Sequence, residues 1–326
     1  MKNILVLGAG GFIGNAIVTK LVSQGHFVRG VDIKPPKFHK SPAQEFIIGD
    51  LRNKDFVKDI LQINSSVFDE IFHMAADMGG AEYIFTGDND ADILTNSLTM
   101  TLNVLRSQVE LNKNLSINKT KILYASSACV YPEHNQLDPN TPDCREETVY
   151  PAHPDSDYGW EKLFGEIIVA AYNRNYKIPV RIARFHNVYG AGSEFDGGKE
   201  KAPAALCRKV LTSNGNILIY GNGEQTRSFI YIDDAVEGTL RLMNSDFNEP
   251  INIGSEEMIS INDFVDMIAN IENKQITKHH KLDGPIGVQG RNSNNDLIRK
   301  VLNWEPKISL KEGITKTYYF IKQQLV

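Results

Sequence analysis

The fold is decided by one stretch near the start of the chain, Asn3-Ile-Leu-Val-Leu-Gly-Ala-Gly-Gly-Phe-Ile-Gly14. Its apolar part, Ile4–Leu7, is typical of a strand buried in a parallel sheet. Glycines then recur with the spacing Gly-x-x-Gly-x-x-Gly, at Gly8, Gly11 and Gly14. Glycine permits a tight turn and lets backbone N–H groups approach a pyrophosphate at the N-terminus of the next helix. The stretch therefore predicts a strand, a phosphate-binding turn and a helix.

Strand and helix signals alternate from this stretch onwards. The predicted strands of the first half are Ile4–Leu7, Phe27–Ile33, Glu45–Ile48, Asp69–Met74, Lys121–Ala125 and Val180–Phe185. The predicted helices are Phe12–Gln24, which Gly25 ends, Asn96–Leu111 and Ser156–Tyr176. Such alternation predicts an α/β fold with a doubly wound, Rossmann-type parallel sheet and right-handed crossovers.

The second half is less regular and predicts a smaller C-terminal α/β lobe. Its predicted helices are Pro203–Leu211, Asp233–Met243 behind an acidic cap, Ile261–Ile271 and Leu310–Leu325, and its predicted strands are Ile217–Tyr220 and Ile251–Ile253. A chain of 326 residues is expected to form two lobes. We expect residues 1–185 to bind a nucleotide cofactor and residues 186–326 mainly to bind substrate, with segments near 228–254 returning to the first lobe.

Composition excludes several classes of protein. The chain is 41% hydrophobic and 23% charged, which is close to the values of globular proteins. Its net charge of −5 argues against a protein that binds nucleic acid or an anionic membrane surface. The cysteines Cys129, Cys144 and Cys207 have no metal-like spacing and predict a reducing compartment. No apolar run reaches the length of a membrane span and no complete signal peptide is present, so we expect a cytoplasmic protein.

A carboxylate near the second predicted strand points to the cofactor. Asp32 lies where an acidic side chain binds the ribose hydroxyls of adenosine, and it would repel a 2′-phosphate, so NAD is favoured over NADP. Asp50 follows the third strand and is expected to reach the adenine; its alternative role is to cap a helix over Leu51–Leu61. The predicted cofactor-binding residues are Gly8, Gly11, Phe12, Ile13, Gly14, Asp32, Asp50, Leu51, Ala75, Tyr158 and Lys162.

A candidate catalytic group follows the fifth predicted strand. Tyr158 and Lys162 are four residues apart on a predicted helix and therefore share one face. A neighbouring ammonium stabilises a phenolate, so we expect Lys162 to lower the pKa of Tyr158 and make it a base. Ser127 lies at the carboxyl edge of the sheet, where doubly wound folds bind ligands, and its hydroxyl can bind a reacting oxygen.

The glycine turn, the run Ser126-Ser-Ala-Cys-Val-Tyr131 and the Tyr-x-x-x-Lys pair, in that order, resemble the extended short-chain dehydrogenases/reductases. This resemblance implies that Ser127 orients a substrate hydroxyl, Tyr158 removes its proton, and Lys162 also holds the nicotinamide ribose. It further implies that the substrate is a nucleotide sugar and that a nicotinamide cofactor exchanges a hydride with it.

Longer runs resemble one branch of this family, the GDP-mannose 3,5-epimerases. They are Ala75–Gly80, Ser126–Glu133, Arg184–Gly190, Gly197–Ala205, Gln225–Phe229 and Gly290–Asn295, and they span nearly the whole chain. The resemblance implies oxidation at C4 of the hexose, which acidifies the C3 and C5 protons, and proton exchange by an acid/base pair. Carried over by motif, that pair is Cys129 and Lys201. The other reading of Cys129 is a small apolar filler, and that of Lys201 is a solvated or phosphate-binding side chain.

The nucleotide sugar needs a clamp for its phosphates and base, and arginine suits phosphate. The predicted substrate-binding residues are Gly79, Ser127, Ala128, Cys129, Asn187, Lys201, Lys209, Gln225, Arg227, Ser228 and Arg291. We interpret His73 and His186 as structural residues at strand ends rather than metal ligands. Trp160, at a position that relatives fill with a smaller apolar residue, is expected to face the core.

Alternatives to a GDP-mannose 3,5-epimerase-like enzyme remain open at this point. One is an NAD-dependent nucleotide-sugar 4-epimerase, dehydratase or dehydrogenase, which needs Tyr158 but not the Cys129–Lys201 pair. Another is a non-catalytic, NAD-binding regulatory protein. We expect a homodimer, since relatives often pair through two helices per subunit, here Asn96–Leu111 and Ser156–Tyr176.

Overall fold

The structure is a computed structural model that describes residues 1–116, 119–283 and 286–326. Its strands are β1 (Asn3–Leu7), β2 (Phe27–Asp32), β3 (Glu45–Ile48), β4 (Gln62–Ile63), β5 (Ser66–Val67), β6 (Glu70–His73), β7 (Lys121–Ser127), β8 (Val180–Phe185), β9 (Val188–Tyr189), β10 (Asn216–Tyr220), β11 (Thr226–Ser228), β12 (Ile230–Tyr231), β13 (Pro250–Ile253), β14 (Met258–Ser260), β15 (Thr277–Lys281) and β16 (Gly290–Arg291). Its α-helices are α1 (Phe12–Ser23), α2 (Lys54–Ile60), α3 (Ala81–Phe85), α4 (Asp90–Leu115), α5 (Asp157–Tyr176), α6 (Ala202–Thr212), α7 (Ile232–Asn244), α8 (Ile261–Ala269), α9 (Asp296–Leu302) and α10 (Leu310–Gln324).

A parallel sheet forms the centre of the molecule. Within the described residues it has seven strands in the order β3-β2-β1-β6-β7-β8-β13. The chain moves outward from β1 to β3 on one side and from β6 to β13 on the other, so the order reverses between β1 and β6. Ligands of doubly wound folds bind at the carboxyl ends of the strands beside such a reversal. The predicted doubly wound, Rossmann-type sheet is confirmed.

The central strand β1 is buried on both faces, as its continuous apolar run predicts. Ile4 and Val6 belong to the core beneath α1 and α7, whereas Leu5 and Leu7 belong to the core beneath α2, α4 and α5. Successive side chains of a strand point to opposite faces, so one short strand contributes to both cores. The glycine turn follows β1 directly. Because β1 is held in place by its burial, the turn has a fixed position at the edge of the sheet.

The second half of the chain is interleaved with the first. Strand β13 pairs with β8, with Ile253 opposite Phe185, so it completes the large sheet. The remaining elements form the smaller lobe, in which α6 packs against α8 and α10 and the short pairings β10–β15, β9–β12 and β14–β11–β16 lie at the surface of the cavity described below. None of the described helices combines the length and apolar character that a bilayer crossing needs.

A buried ion pair holds α5 against the sheet. The Arg184 guanidinium on β8 donates to both carboxylate oxygens of Glu166 on α5, through Nε at 2.9 Å and a terminal nitrogen at 2.8 Å. The Ser126 hydroxyl on β7 donates to the same carboxylate at 2.5 Å. All three side chains are buried. Because desolvation offsets much of the attraction in a buried pair, its main effect is to fix one arrangement of α5, β7 and β8.

Several predicted boundaries and caps differ from the structure. Helix α4 begins at Asp90, two turns before the predicted Asn96, because its first turns carry polar residues at the surface and lack an apolar repeat. The alternative role of Asp50 as a helix cap is wrong, since Asn53 caps α2 by accepting from the N–H groups of Asp55 and Phe56. The predicted acidic cap of α7 is also wrong: Tyr231 is its N-cap residue, and Asp233 lies in the first turn.

Gly8 is the position where the fold depends most directly on glycine. Its φ is +84°, and a Cβ there would lie 2.7 Å from the backbone nitrogen of Ala75. We therefore expect Gly8→Ala to lower the free energy of unfolding in chemical denaturation by roughly 2 kcal/mol more than Gly25→Ala does. Gly25 is a matched control, since its φ is +81° and nothing lies within 4 Å of its Cβ position. Equal losses in both variants would contradict the close approach of the two chain segments.

Candidate active site

A cavity of 1290 Å³ opens between the lobes at the carboxyl edge of the sheet. Its walls come from the glycine turn, the ends of β2, β6 and β7, the start of α5, and the loop that leads into α6. Every residue predicted to bind the cofactor lines it, and so does every predicted catalytic or substrate-binding residue except Ser228. The long chain separations between these residues show that the fold, and not local sequence, assembles the site.

The glycine turn forms one end of the cavity and fits a dinucleotide. Gly11 is the N-cap residue of α1, and no side chain caps the first N–H groups of the helix. A Cβ at Gly14 would lie 2.0 Å from the Gly8 carbonyl oxygen. Any larger residue at position 14 would therefore require the backbone of the turn to move. Uncapped N–H groups at a helix N-terminus favour an anion such as a pyrophosphate. The chain thus has the phosphate-binding part of an NAD site.

The two predicted adenosine carboxylates have different surroundings. Asp32, at the end of β2, accepts from the Gly10 N–H at 2.9 Å and from the Lys34 N–H at 3.2 Å, so its carboxylate is held beside the turn. Asp50 is paired with Arg52 at 2.7 Å, and the hydrogen bond from that guanidinium lowers the pKa of Asp50. Arg52 also donates to the Asn96 amide oxygen at 3.0 Å. Both residues line the cavity.

Tyr158, Lys162 and Ser127 meet near the middle of the cavity. The Lys162 Nζ lies 5.5 Å from the Tyr158 ring centre, and both side chains are buried. Burial raises the pKa of Tyr158, as do the nearby Cys129 and Glu161, while the hydrogen bond with Ser127 opposes the rise. The lowered pKa that the sequence predicts for Tyr158 is therefore not found in the chain alone. The main physical reason is that the phenol is buried, and the carboxylate of Glu161, which lies 3.2 Å from the Lys162 Nζ, adds to the rise.

Arg291 is held by hydrogen bonds in contact with the Cys129 sulfur. The Arg291 guanidinium has one nitrogen 3.1 Å from the Cys129 sulfur, and its other two nitrogens donate to Gln136 at 2.6 Å and to Asp155 at 2.9 Å. Arg291 and Asp155 are both buried. Arg291, a predicted clamp residue for the substrate, lines the cavity and contacts the thiol in the chain alone. A cation beside a cysteine favours the thiolate, which is the form that accepts a proton.

Lys201 faces the same part of the cavity. It is the N-cap residue of α6 and makes no side-chain hydrogen bond to that helix. Burial lowers the pKa of Lys201, while the nearby Cys129 opposes the fall. A lysine that loses its proton more readily than usual can act as a base and, once protonated, as an acid. The structure therefore brings the two predicted acid/base residues together with Tyr158.

Two of the predicted clamp residues, Lys209 and Gln225, bind backbone carbonyls of β10. Lys209 donates to the Leu218 carbonyl at 3.1 Å and lies over the Tyr220 ring, and burial lowers its pKa. Gln225 donates to the Tyr220 carbonyl at 2.8 Å, and its side-chain oxygen is buried without a partner among the described residues. Such an orphaned acceptor suits an N–H group of a bound base.

Three further residues that were predicted to bind substrate use some or all of their hydrogen-bonding groups within the protein. Arg227 donates to the carbonyls of Thr226, Ile286 and Val288, and burial lowers its pKa to about 10. Asn187 donates to the Ser228 carbonyl at 2.8 Å while facing the cavity. Ser228 does not reach the cavity: it is fully buried, and its hydroxyl accepts from the Ser293 N–H at 3.2 Å. The prediction that Ser228 binds substrate is wrong because alternate residues of β11 face away from the site.

The two histidines singled out in the sequence are neutral core residues. His73 is hydrogen-bonded with the Thr101 hydroxyl at 3.0 Å and His186 with the Asn252 amide oxygen at 2.9 Å. Burial lowers the pKa of each to about 3. The residues that sequence reasoning missed are carboxylates and amides that position other groups: Gln136, Asp155 and Glu161. The available signal for Glu161 in the sequence was its position directly before Lys162 on the predicted helix.

The chain is similar to known proteins along most of its length. A model of the NAD dependent epimerase/dehydratase family matches residues 4–254. The chain is 42% identical to GDP-mannose 3,5-epimerase of Arabidopsis thaliana over 325 residues, which cover 99% of this chain and 82% of that protein. It is 31% identical to the putative UDP-glucose 4-epimerase of Methanocaldococcus jannaschii, with 98% of each chain covered.

Solved structures of sugar-nucleotide enzymes superimpose on almost the whole chain. The UDP-glucose 4-epimerase of Thermotoga maritima, solved with UDP-glucose, has a TM-score of 0.86 at 26% identity and covers 99% of this chain and 100% of its own. The UDP-glucuronic acid 4-epimerase of Bacillus cereus, solved with UDP-glucuronic acid and NAD, has a TM-score of 0.81 at 28% identity and covers 99% of each chain.

The contact between Arg291 and Cys129 predicts selective thiol chemistry. Iodoacetamide should alkylate Cys129 first, because Cys144 and Cys207 are buried and burial raises the pKa of Cys144 to about 11. Arg291→Met should slow alkylation of Cys129 roughly three- to tenfold, since the thiolate loses its adjacent cation. Peptide mass spectrometry measures the rates, and Arg299→Met, which removes an exposed arginine, is the control. Equal rates in the two variants would rule out the assigned contact.

Proposed function

The chain belongs to the NAD-dependent epimerase/dehydratase family, and from that premise we propose that it epimerises a GDP-hexose at C3 and C5, as a GDP-mannose 3,5-epimerase does. NAD is its cofactor, and its fold is that of the extended short-chain dehydrogenases/reductases. One observation supports the proposed reaction above all others. Cys129 and Lys201 line the same cavity as Ser127, Tyr158 and Lys162, so a redox group and an acid/base pair can act on one sugar ring.

The first proposed step takes place at C4 of the hexose. When bound against the glycine turn, Asp32 and Lys162, NAD supplies a reversible acceptor for the hydride of that carbon. Tyr158 removes the proton of the C4 hydroxyl, and Ser127 holds the same oxygen by a hydrogen bond. Burial disfavours the phenolate of the free chain, so positive charge around the phenol is needed for proton removal. At the end of the cycle Tyr158 returns the proton to the oxygen.

The second proposed step moves protons at the neighbouring carbons. A C4 carbonyl stabilises a carbanion at C3 or C5, so a modest base can remove either proton. Arg291 places a cation 3.1 Å from the Cys129 sulfur, and burial lowers the pKa of Lys201. One group removes a proton from one face of the ring and the other returns a proton to the opposite face. This exchange inverts the carbon and leaves both residues ready for the reverse transfer.

The part of the cavity lined by Lys209, Gln225 and Arg227 suits the nucleotide. We propose that Lys209 and Arg227 bind the diphosphate and that the unpartnered Gln225 oxygen accepts a hydrogen bond from the base. A guanine offers N–H donors on its edge for such an acceptor. Gly79 and Asn187 would border the sugar. By this division residues 1–185 mainly bind NAD and residues 186–326 mainly bind the nucleotide sugar, with the segment near 228–254 returning to the first lobe.

We further propose a homodimer that pairs through α4 and α5. Three apolar side chains form a stripe along the outer face of α5: Trp160 is 44% exposed, Phe164 51% and Ile167 45%. The expectation that Trp160 faces the core is wrong, because the core side of α5 is filled by Tyr158, Leu163 and Val169. Contiguous exposed apolar groups mark interaction surfaces, and a face of one helix pair can cover the same face of a second copy.

Incubation with a panel of GDP- and UDP-sugars in heavy water tests the proposed reaction. We expect GDP-mannose to be epimerised with solvent deuterium entering at C3 and C5, as read by mass spectrometry and NMR. Tyr158→Phe should abolish reduction of the bound cofactor with little loss of fold, because the C4 proton has no acceptor. Cys129→Ala should still permit oxidation at C4 yet suppress exchange at one carbon.

The outcomes separate the competing functions. Turnover that retains both the C3 and C5 hydrogens would replace the proposal with a 4-epimerase, dehydratase or dehydrogenase. Unaltered exchange at both carbons in Cys129→Ala would remove Cys129 from the acid/base pair. Near-normal activity of Tyr158→Phe would overturn the assignment of the base.

Phe164→Lys should convert the dimer into single chains. The substitution places a charge in the centre of the apolar stripe, where two copies would have to bury it. Sedimentation of the unaltered chain should give twice 36.5 kDa, and the variant should give 36.5 kDa. Tyr319→Lys on α10, which replaces an aromatic side chain that is also 44% exposed, should leave the mass unchanged. A single-chain mass for the unaltered protein would contradict the proposed interface.

A further inference from the structure

Glu161 is a buried carboxylate that the proposed reaction does not use. It lies on α5 between Tyr158 and Lys162 in sequence and has no exposed surface. One of its oxygens lies 3.2 Å from the Lys162 Nζ, and the other accepts from the Tyr124 hydroxyl at 3.3 Å. A buried carboxylate with so few donors is costly unless a cation balances it. The Lys162 ammonium is the cation within ion-pair distance among the described residues.

The pairing also determines where the Lys162 ammonium lies. Its Nζ is 5.3 Å from the Tyr124 ring centre and 5.5 Å from the Tyr158 ring centre, so it occupies a narrow place between the two rings. Glu161 approaches from one residue earlier on the same helix and holds the ammonium there. Without a carboxylate, four flexible methylenes would leave the charge free to move into the 1290 Å³ cavity.

We propose that Glu161 is a positioning residue that anchors the Lys162 ammonium beside Tyr158 and balances its charge. This inference rests on the proposed function only in the role given to Tyr158. The lysine and the glutamate lie 3.2 Å apart, so their charges largely offset each other beside Tyr158. The ionisable groups around the pair are Tyr124 on β7, His73 on β6, Cys129 after β7, Tyr158 on α5 and Glu166 one turn farther along α5.

A buried carboxylate outside the site provides a control. Glu70 begins β6, does not line the cavity, and forms an ion pair with Lys2 at 2.5 Å. Glu161→Gln and Glu70→Gln each remove one buried negative charge and keep the side-chain volume. Only the first leaves the Lys162 ammonium without its counter-ion.

Trace acetylation of the ligand-free chain tests the proposal without any sugar. In Glu161→Gln the buried Lys162 ammonium loses its stabilising partner and gives up its proton more readily. Acetic anhydride at neutral pH should therefore modify Lys162 about fivefold faster or more than in the unaltered chain, as measured by peptide mass spectrometry. Glu70→Gln should leave the rate within about twofold, because it lies outside the site. Equal rates for Glu161→Gln and the unaltered chain would overturn the proposal.

The pH dependence of cofactor reduction is the second readout. Removing the charge of Glu161 takes away repulsion from the Tyr158 phenolate, so the rising limb should move by about one pH unit to lower pH. Glu70→Gln should not move it. If Glu161→Gln does not fold, Glu161→Asp, which withdraws the carboxylate from Lys162, should give a smaller change of the same sign in both measurements, and no change would overturn the proposal. Normal acetylation results in a chain that turns over no nucleotide sugar would count against the proposed function and not against Glu161.

Discussion

The geometry of the site depends on how α5 is held against the carboxyl edge of the sheet. Tyr158 and Lys162 lie in the first turns of this helix, whereas Ser127 and Cys129 lie at and just after the end of β7. The buried contacts of Glu166 with Arg184 and Ser126 join α5, β7 and β8 one turn below the cavity. Since a buried pair of this kind contributes more to uniqueness than to stability, its effect is geometric. It fixes the distance between the helix and the strand end, and therefore between the proposed base and the proposed acid/base thiol.

Sequence reasoning was most successful where periodicity and local chemistry decide the outcome. The strands Glu45–Ile48 and Val180–Phe185 were predicted to the residue, because apolar runs bounded by turn residues have few other conformations. The first turns of α4 were missed because their stability comes from packing at one edge and their surface is polar. Strands of two or three residues, such as β11 and β16, exist only through pairing with distant segments, which no local pattern contains.

The same difference between local patterns and distant contacts applies to the site. Residues within one motif were found by spacing, since Ser127, Tyr158 and Lys162 owe their proximity to one strand end and one helix face. The contact of Arg291 with Cys129 spans 162 positions, and only the tertiary fold could bring that arginine to the thiol. Glu161 was missed because a glutamate on a helix usually faces solvent. Its carboxylate lies 3.2 Å from the Lys162 Nζ, so a motif identifies the partners but not the net charge that they present.

Two buried cation–carboxylate pairs thus lie on either side of the place where a sugar ring would react. Asp155 holds Arg291 at Cys129, and Glu161 holds Lys162 at Tyr158. An unpaired cation would be costly in a cavity with so much apolar wall, and it would also be free to move. Pairing lowers the cost of burying each cation and keeps the cation in place. It also weakens the electric field that each cation exerts on its neighbour. For Arg291 the weakening is limited, since a separate guanidinium nitrogen, 3.1 Å from the sulfur, remains directed at the thiol. For Lys162 the single ammonium serves both partners. Burial raises the pKa of the Tyr158 phenol, so charge on it needs stabilisation beyond that of the Lys162–Glu161 pair, and a group bound in the cavity would supply it.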